Sequence, residues 1–254
     1  MARRDVSEQT IVIRAAEFDA VVFDMDGVVT DTTRAHTEAW KSVFDEFLTR
    51  HVGPGAKPFD ASVDYLRYVD GKPRYDGVRS FLASREITIA EGSQSDPPHA
   101  DTVHGLGNRK NAEFLSHIAE QGADAYASTL SLLDAFRQAG LRTGLITSSR
   151  NARIVLDAAG VHDVFDVIVD GEVAAQRGLA GKPSPAVFLA AVEDLGVDPE
   201  RAVVVEDAIS GVAAGHTGGF GLVIGVARHD NAAGLWAAGA DVVVTDLAAV
   251  SVEA

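Results

Sequence analysis

The sequence has no cysteine. Disulfides, thiolate metal sites and a cysteine nucleophile are therefore excluded, and the absence fits a reducing cytosol. Basic charge is also scarce: 22 Lys and Arg stand against 37 Asp and Glu in 254 residues, a net charge of -15. Such a surface repels a nucleic-acid backbone, so DNA and RNA are not expected partners. No apolar run approaches the roughly 20 residues that span a bilayer. The opening stretch, Met1 to Glu17, lacks the apolar h-region of a secretory signal. The expectation is a cytoplasmic protein without membrane association, a monomer first and a dimer as the other option.

A chain of this length holds one large domain, or a core with a smaller insert. It can bury roughly 70% of the surface its unfolded form exposes, so it needs no staples. Ala20-Val21-Val22-Phe23-Asp24 is a short apolar run that ends in a carboxylate. Similar runs recur at Arg142 to Thr147, Val164 to Val169, Ala202 to Val205, Leu222 to Val226 and Asp241 to Val244. Helical patterns lie between them, at Leu130 to Ala139, Ala152 to Ala159, Pro185 to Leu195 and Ile209 to Ala214. Valine-rich strands alternating with helices predict an α/β fold with a Rossmann-like, mainly parallel sheet. Ligands of such sheets bind at the carboxyl ends of the strands.

Residues 34–122 break the alternation. Helical patterns at Thr37 to Leu48, Ser62 to Val69, Asp76 to Ala83 and Arg109 to Glu120 occur there without a buried strand. They predict an inserted α-helical cap domain over 34–122, in a core built from 1–33 and 123–254. Within the cap, Glu91 to Gly107 is rich in Gly, Ser, Pro and His and reads as a long exposed loop.

The sharpest chemical signal is Asp24-Met25-Asp26-Gly27-Val28-Val29-Thr30-Asp31. A carboxylate at a strand terminus can attack phosphorus and bind Mg²⁺. Asp26 can then protonate a leaving oxygen and deprotonate the next attacking group, while Gly27 lets the backbone turn sharply. A hairpin turn or a fragment of a calcium loop is the plainer reading. The preceding strand argues against the first, and the missing spaced carboxylates and terminal glutamate against the second.

Three further strand ends carry polar groups. Thr147-Ser148 can hold phosphoryl oxygens through a hydroxyl and an N–H, or act as an ordinary helix cap. Lys182, in Gly181-Lys182-Pro183-Ser184-Pro185, can neutralise charge shared by Asp24, metal and phosphate; it is otherwise a surface lysine at a helix start. No P-loop fits, because the upstream glycine spacing is missing. Glu206-Asp207 offers hard oxygen ligands suited to Mg²⁺, or an N-cap for the helix near Ile209. Gly215 to Gly221 follows a helix and precedes a strand, the reverse of the dinucleotide-binding order, and is set aside.

The order Asp-x-Asp, Thr/Ser, Lys, Glu-Asp at successive strand ends resembles the haloacid-dehalogenase-like superfamily of phosphotransferases, from about Ala20 to Asp246. Within it the chain is most similar to the β-phosphoglucomutase-like subfamily and its sugar-phosphatase relatives with a helical cap. The resemblance implies that Asp24 is the nucleophile, Asp26 the acid/base, and that Thr147, Ser148 and Lys182 bind the transferring phosphoryl group. It implies a Mg²⁺ cofactor on Asp24, the backbone carbonyl of Asp26, Glu206 and Asp207.

Finer matches favour the mutase. His36 followed by Ala39-Trp40-Lys41 is similar to the mutase opening, where the histidine closes the cap around the acid/base. Arg74, after Gly71-Lys72-Pro73, falls where a mutase cap carries an arginine for the second phosphate. Arg109-Lys110-Asn111 resembles a second cap signature, and Ser149, Arg150 and Asn151 follow the phosphoryl-binding strand as a substrate-contacting segment. The chain departs from the usual pattern in its leader, in the enlarged cap and in Ala127-Ser128 where Pro-Gly is common.

The resemblance implies a small sugar-phosphate substrate. The expected reaction interconverts β-D-glucose 1-phosphate and glucose 6-phosphate through an aspartyl-phosphate and a glucose 1,6-bisphosphate. A Mg-dependent sugar-phosphate phosphatase is the alternative. A receiver-type signalling module shares the aspartate, hydroxyl and lysine but needs no inserted helical domain or DxD spacing. A silent binding protein would not need every one of these polar groups.

Overall fold

The computed structural model describes residues 11–228 and 230–253. The first ten residues of the polar leader lie outside that range. The chain divides into two compact units, one running to Asp31 and resuming at Asp124, the other comprising Thr32–Ala123.

Among the described residues, the first unit starts with strand β1 (Ile11–Arg14), followed by β2 (Ala20–Asp24), β3 (Arg142–Ile146), β4 (Val167–Val169), β5 (Ala202–Glu206), β6 (Leu222–Val226), β7 (Val242–Val244) and β8 (Val250–Glu253). Six of them form one parallel sheet in the order β4-β3-β2-β5-β6-β7. β2 and β5 are buried along their whole length, so they read as unbroken apolar runs instead of alternating ones. The chain steps outward from β2 to one edge and from β5 to the other. The order therefore reverses between β2 and β5, where open α/β sheets present a crevice at the strand ends.

Among the described residues, six α-helices belong to this unit: α4 (Ala127–Gln138), α5 (Ala152–Ala158), α6 (Gly171–Gln176), α7 (Ala186–Leu195), α8 (Ile209–Thr217) and α9 (Ala232–Ala238). Val22, Ile146, Phe188, Val204, Val223 and Leu235 belong to one buried apolar cluster with α7 and α8. Phe23, the neighbour of Val22 and so on the opposite face of β2, meets Phe136 and Phe165 edge to face at 6.2 and 6.3 Å. Strand β4 is shorter than the apolar run from Val164 suggested. The carbonyl of Val164 and the carboxylate of Asp166 are instead taken up by Thr143, at 3.0 and 2.7 Å.

The short helices α6 and α9 and the strands β1 and β8 were not evident in the sequence. β1 and β8 pair in parallel, Ile11 opposite Val250, as a separate two-stranded sheet. Residues 11–14, part of what reads as a leader, are thus a strand. Helix α6 forms because Asp170 caps it, accepting the Glu172 and Val173 N–H groups at 2.9 Å.

The second unit contains α1 (Thr33–His51), α2 (Arg74–Ser84) and α3 (Val103–Gln121). Its core is aromatic: Phe44 packs on Phe81 with centroids 4.0 Å apart and on Phe59 at 5.4 Å. Ser62 to Val69, expected to be a helix, is helical over Tyr65–Val69, as a short π-helix. It begins where Asp60 caps Ser62 and Val63 and stops before Gly71-Lys72-Pro73. The expected loop from Glu91 to Gly107 ends early, because Thr102 caps α3 through the Gly105 N–H at 2.9 Å.

Candidate active site

Register brings the polar strand ends together. Asp24 lies opposite Ile146, and Phe23 opposite Val205. Asp24, Thr147 and the Glu206-Asp207 pair therefore emerge side by side at the carboxyl edge, at the reversal of strand order.

Beyond Asp24 the chain doubles back at once. Both Val29 and Thr30 donate their N–H to the Met25 carbonyl at 2.9 Å, and the Gly27 N–H donates to the Thr30 carbonyl at 2.8 Å. Gly27 has φ 85°, in the left-handed region. A Cβ there would lie 1.9 Å from Asp207 Oδ2, so glycine also makes room for that carboxylate. The turn leaves Asp26 half-buried and within reach of Thr147, whose hydroxyl donates to Asp26 Oδ2 at 3.3 Å. The same hydroxyl accepts the Ser149 N–H at 3.0 Å, and Ser149 Oγ accepts the Asn151 N–H at 3.1 Å. Ser148, Ser149, Arg150 and Asn151 are all half-buried in this segment after β3.

Lys182 is buried, and its ammonium bonds both Asp24 and Glu206. Glu206 Oε2 accepts the Ala208 N–H at 2.7 Å. Gly211 leaves space for this carboxylate, since a Cβ there would come 1.7 Å from Glu206 Oε1. One carboxylate oxygen each from Asp24, Glu206 and Asp207 can lie within 4.8 Å of one another.

The electrostatics of this cluster are unbalanced. Burial pushes the Asp24 carboxyl up; Lys182 pulls it down, but repulsion from Glu206 and Asp26 adds to the rise. Burial works against the Lys182 ammonium, yet Asp24 and Glu206 outweigh it and hold the group charged. Three buried carboxylates stand beside one ammonium, so acidic groups outnumber the basic one in this cluster. Buried charges of this kind need compensation. A small divalent cation supplies the right charge, and the hard oxygen donor set fits Mg²⁺.

The remaining sequence candidates lie in the helical unit. There His36 and Lys110 hydrogen-bond each other, and the His36 ring stacks on Phe114 at 4.1 Å. The Lys110 ammonium sits 4.6 Å from the Phe114 centroid and 5.3 Å from that of Trp40. Trp40 stacks on Phe44 and is part of the aromatic core. Arg74 opens α2, with its guanidinium 5.7 Å from the Tyr75 ring, and Asn111 follows Lys110 on α3.

Sequence reasoning missed the loop after β6. Arg228 Nε donates to the Gly27 carbonyl at 2.9 Å, and Asn231 Nδ2 donates to the Asp207 carbonyl at 3.0 Å. The search for polar groups at strand ends, applied to β6 as to the other strands, would have found both.

The chain is similar to known proteins. A family model described as haloacid dehalogenase-like hydrolase matches residues 18–219. A β-phosphoglucomutase of Mycobacterium tuberculosis is 48% identical over 235 residues, spanning 90% of each chain. One from Bacillus subtilis is 30% identical over 235 residues, spanning 92% of each. Among solved structures, a β-phosphoglucomutase from Clostridium difficile shares the fold with a TM-score of 0.72 at 24% identity, over 91% of this chain and 92% of the other.

Proposed function

The chain belongs to the haloacid dehalogenase-like hydrolase family and is a phosphotransferase, and from that premise we propose that it interconverts β-D-glucose 1-phosphate and glucose 6-phosphate. The observation that carries the reading is the buried Lys182 ammonium shared by Asp24 and Glu206, with Asp26 beside the Thr147 hydroxyl.

In the first half-reaction an Asp24 oxygen bonds to one phosphorus of glucose 1,6-bisphosphate and the bond from that phosphorus to the ester oxygen breaks, releasing a glucose monophosphate. Asp26 gives its proton to that departing oxygen. Lys182 and the Thr147 hydroxyl face the charge on the transferring group. In the second half-reaction Asp26 takes the proton of the free hydroxyl of glucose 1-phosphate, whose oxygen attacks the aspartyl-phosphate, releases Asp24 and re-forms the bisphosphate. Asp24 and Asp207 are the direct candidates to hold Mg²⁺, with the Asp26 carbonyl as the resemblance implies. Glu206, with both oxygens on protein donors, orients Lys182. The cation, when bound, offsets the carboxylate charge so that an anionic phosphate can approach.

Water in place of the sugar hydroxyl turns the same machinery into a sugar-phosphate phosphatase, the reading that the hydrolase family description favours. The test is to supply β-glucose 1-phosphate with a bisphosphate primer and follow glucose 6-phosphate and free phosphate together. Glucose 6-phosphate in excess supports the mutase; free phosphate alone assigns the phosphatase. Asp24→Asn is expected to abolish both products and the covalent phosphate seen by intact mass. Turnover retained in that variant would remove the covalent mechanism.

A further inference from the structure

Arg228 makes an unusual set of contacts for a residue outside every motif described above. Its side chain is 11% exposed. Nε donates to the Gly27 carbonyl at 2.9 Å, Nη1 reaches Asp246 at 3.3 Å, and the guanidinium lies 3.7 Å from the centroid of the Tyr126 ring. The remaining nitrogen, Nη2, is buried without a hydrogen-bond partner. Leaving such a donor unsatisfied opposes folding. A smaller residue would avoid that cost, so stability alone does not account for this arginine.

The Gly27 carbonyl belongs to the turn that aims Asp26. That turn is otherwise held by its own backbone bonds to Met25 and Thr30, by Tyr126 N–H to the Val29 carbonyl at 3.0 Å and by the Thr129 hydroxyl to the Val28 carbonyl at 2.6 Å. Arg228 thus reaches the turn twice, directly at Gly27 and through the Tyr126 ring. Asp246, at the end of the sheet's last strand, anchors the other end of the guanidinium. Only a planar, forked cation can lie flat on a ring while donating in two in-plane directions; a lysine cannot.

We propose that Arg228 is a positioning residue for the acid/base, holding the Gly27 peptide so that Asp26 stays aligned with the ester oxygen while Asp24 remains on Lys182. This rests on the proton-transfer role given to Asp26 above. Loss of the strut displaces the proton donor and leaves the nucleophile, which is fixed by strand β2 and Lys182.

The leaving group provides the test. A sugar phosphate ester needs a proton delivered as its bond to phosphorus breaks, whereas p-nitrophenyl phosphate leaves as a stable anion and needs none. For Arg228→Met, kcat on glucose 1-phosphate is expected to fall on the order of 100-fold, in the range of general acid catalysis, and kcat on the aryl ester less than about tenfold. Arg228→Lys is expected to fail to rescue, because charge alone does not restore the stack. Asp246→Asn, which loosens the anchor without touching the arginine, is expected to give the same selective loss at smaller size. Amide hydrogen exchange is expected to rise in peptides covering the Gly27 turn while the sheet stays protected. Equal loss on both esters, or full rescue by lysine, would overturn the proposal. So would unchanged exchange at the turn in Arg228→Met. Aryl-phosphate turnover surviving in Asp24→Asn instead strikes the phosphotransfer reading itself, whatever Arg228 does.

Discussion

Lys182 is the residue on which the site's charges balance. It compensates Asp24 and Glu206 in a buried place, so removing it strands both carboxylates. Lys182→Met is expected to destabilise the protein by about 3–5 kcal/mol, the cost of breaking a buried pair from one side, measured by denaturant unfolding. Saturating Mg²⁺ is expected to return part of that, about 2.7 kcal/mol at a hundredfold excess over its dissociation constant, because the ion replaces the lost positive charge. A variant that Mg²⁺ does not stabilise would count against a cation at these carboxylates. At the same scale, Arg74 separates the two readings of function. A bisphosphate intermediate needs a second cation for its idle phosphate, and a guanidinium can bind it with two hydrogen bonds. Arg74→Ala is expected to cost at least tenfold in glucose 6-phosphate formation, about 1.4 kcal/mol, while hydrolysis of a small aryl phosphate is spared. Equal losses would deny it the phosphate role.

The turn after β2 and the start of α8 show how elements make the site possible. Gly27 and Gly211 both stand where a Cβ would collide with a carboxylate, of Asp207 and Glu206 respectively. Gly27→Ala faces a positive φ as well, with a conformational penalty of about 1–2 kcal/mol. It is expected to lose nearly all phosphoryl transfer and to weaken Mg²⁺ binding measured by calorimetry, whereas near-normal Mg²⁺ affinity would show that the turn tolerates the methyl group. Elements of this kind differ in how well a sequence reveals them. β2, β3, β5 and β6 were readable because five-residue runs that are mostly buried and largely apolar are distinctive. β1 and β8 were not, being four-residue strands of mixed exposure whose pairing joins opposite ends of the chain. Asp24, Thr147 and Asp207 stood out by chemistry at strand ends, and Lys182, which lies between α6 and α7, by its setting before a helix start. Arg228 also follows a strand and could have been noticed there, but its role could not, since it acts on a backbone carbonyl 201 residues away, and every residue presents the same carbonyl.

For the molecule as a whole, the net charge of -15 sets the terms on which a substrate arrives. A phosphorylated substrate approaches a surface of its own sign, and the cations meant for it include a buried Lys182. Mobile salt screens that repulsion over roughly 8–10 Å near physiological ionic strength. With Mg²⁺ held saturating, kcat/KM is therefore expected to rise severalfold between about 0.01 and 0.15 M salt, the opposite of an electrostatically steered enzyme. A steady fall over that range would locate a positive field at the entrance that the overall composition does not suggest.

The parallel pairing of β1 with β8 also determines how the protein bears a mechanical load. If handles are attached ahead of Ile11 and after Glu253, tension pulls the two strands past each other along their length. The ladder from Ile11–Val250 to Arg14–Glu253 is then loaded in shear, and its bonds share the force instead of opening one after another. The two ends thus form a clasp that must slip before the six-stranded sheet feels the pull.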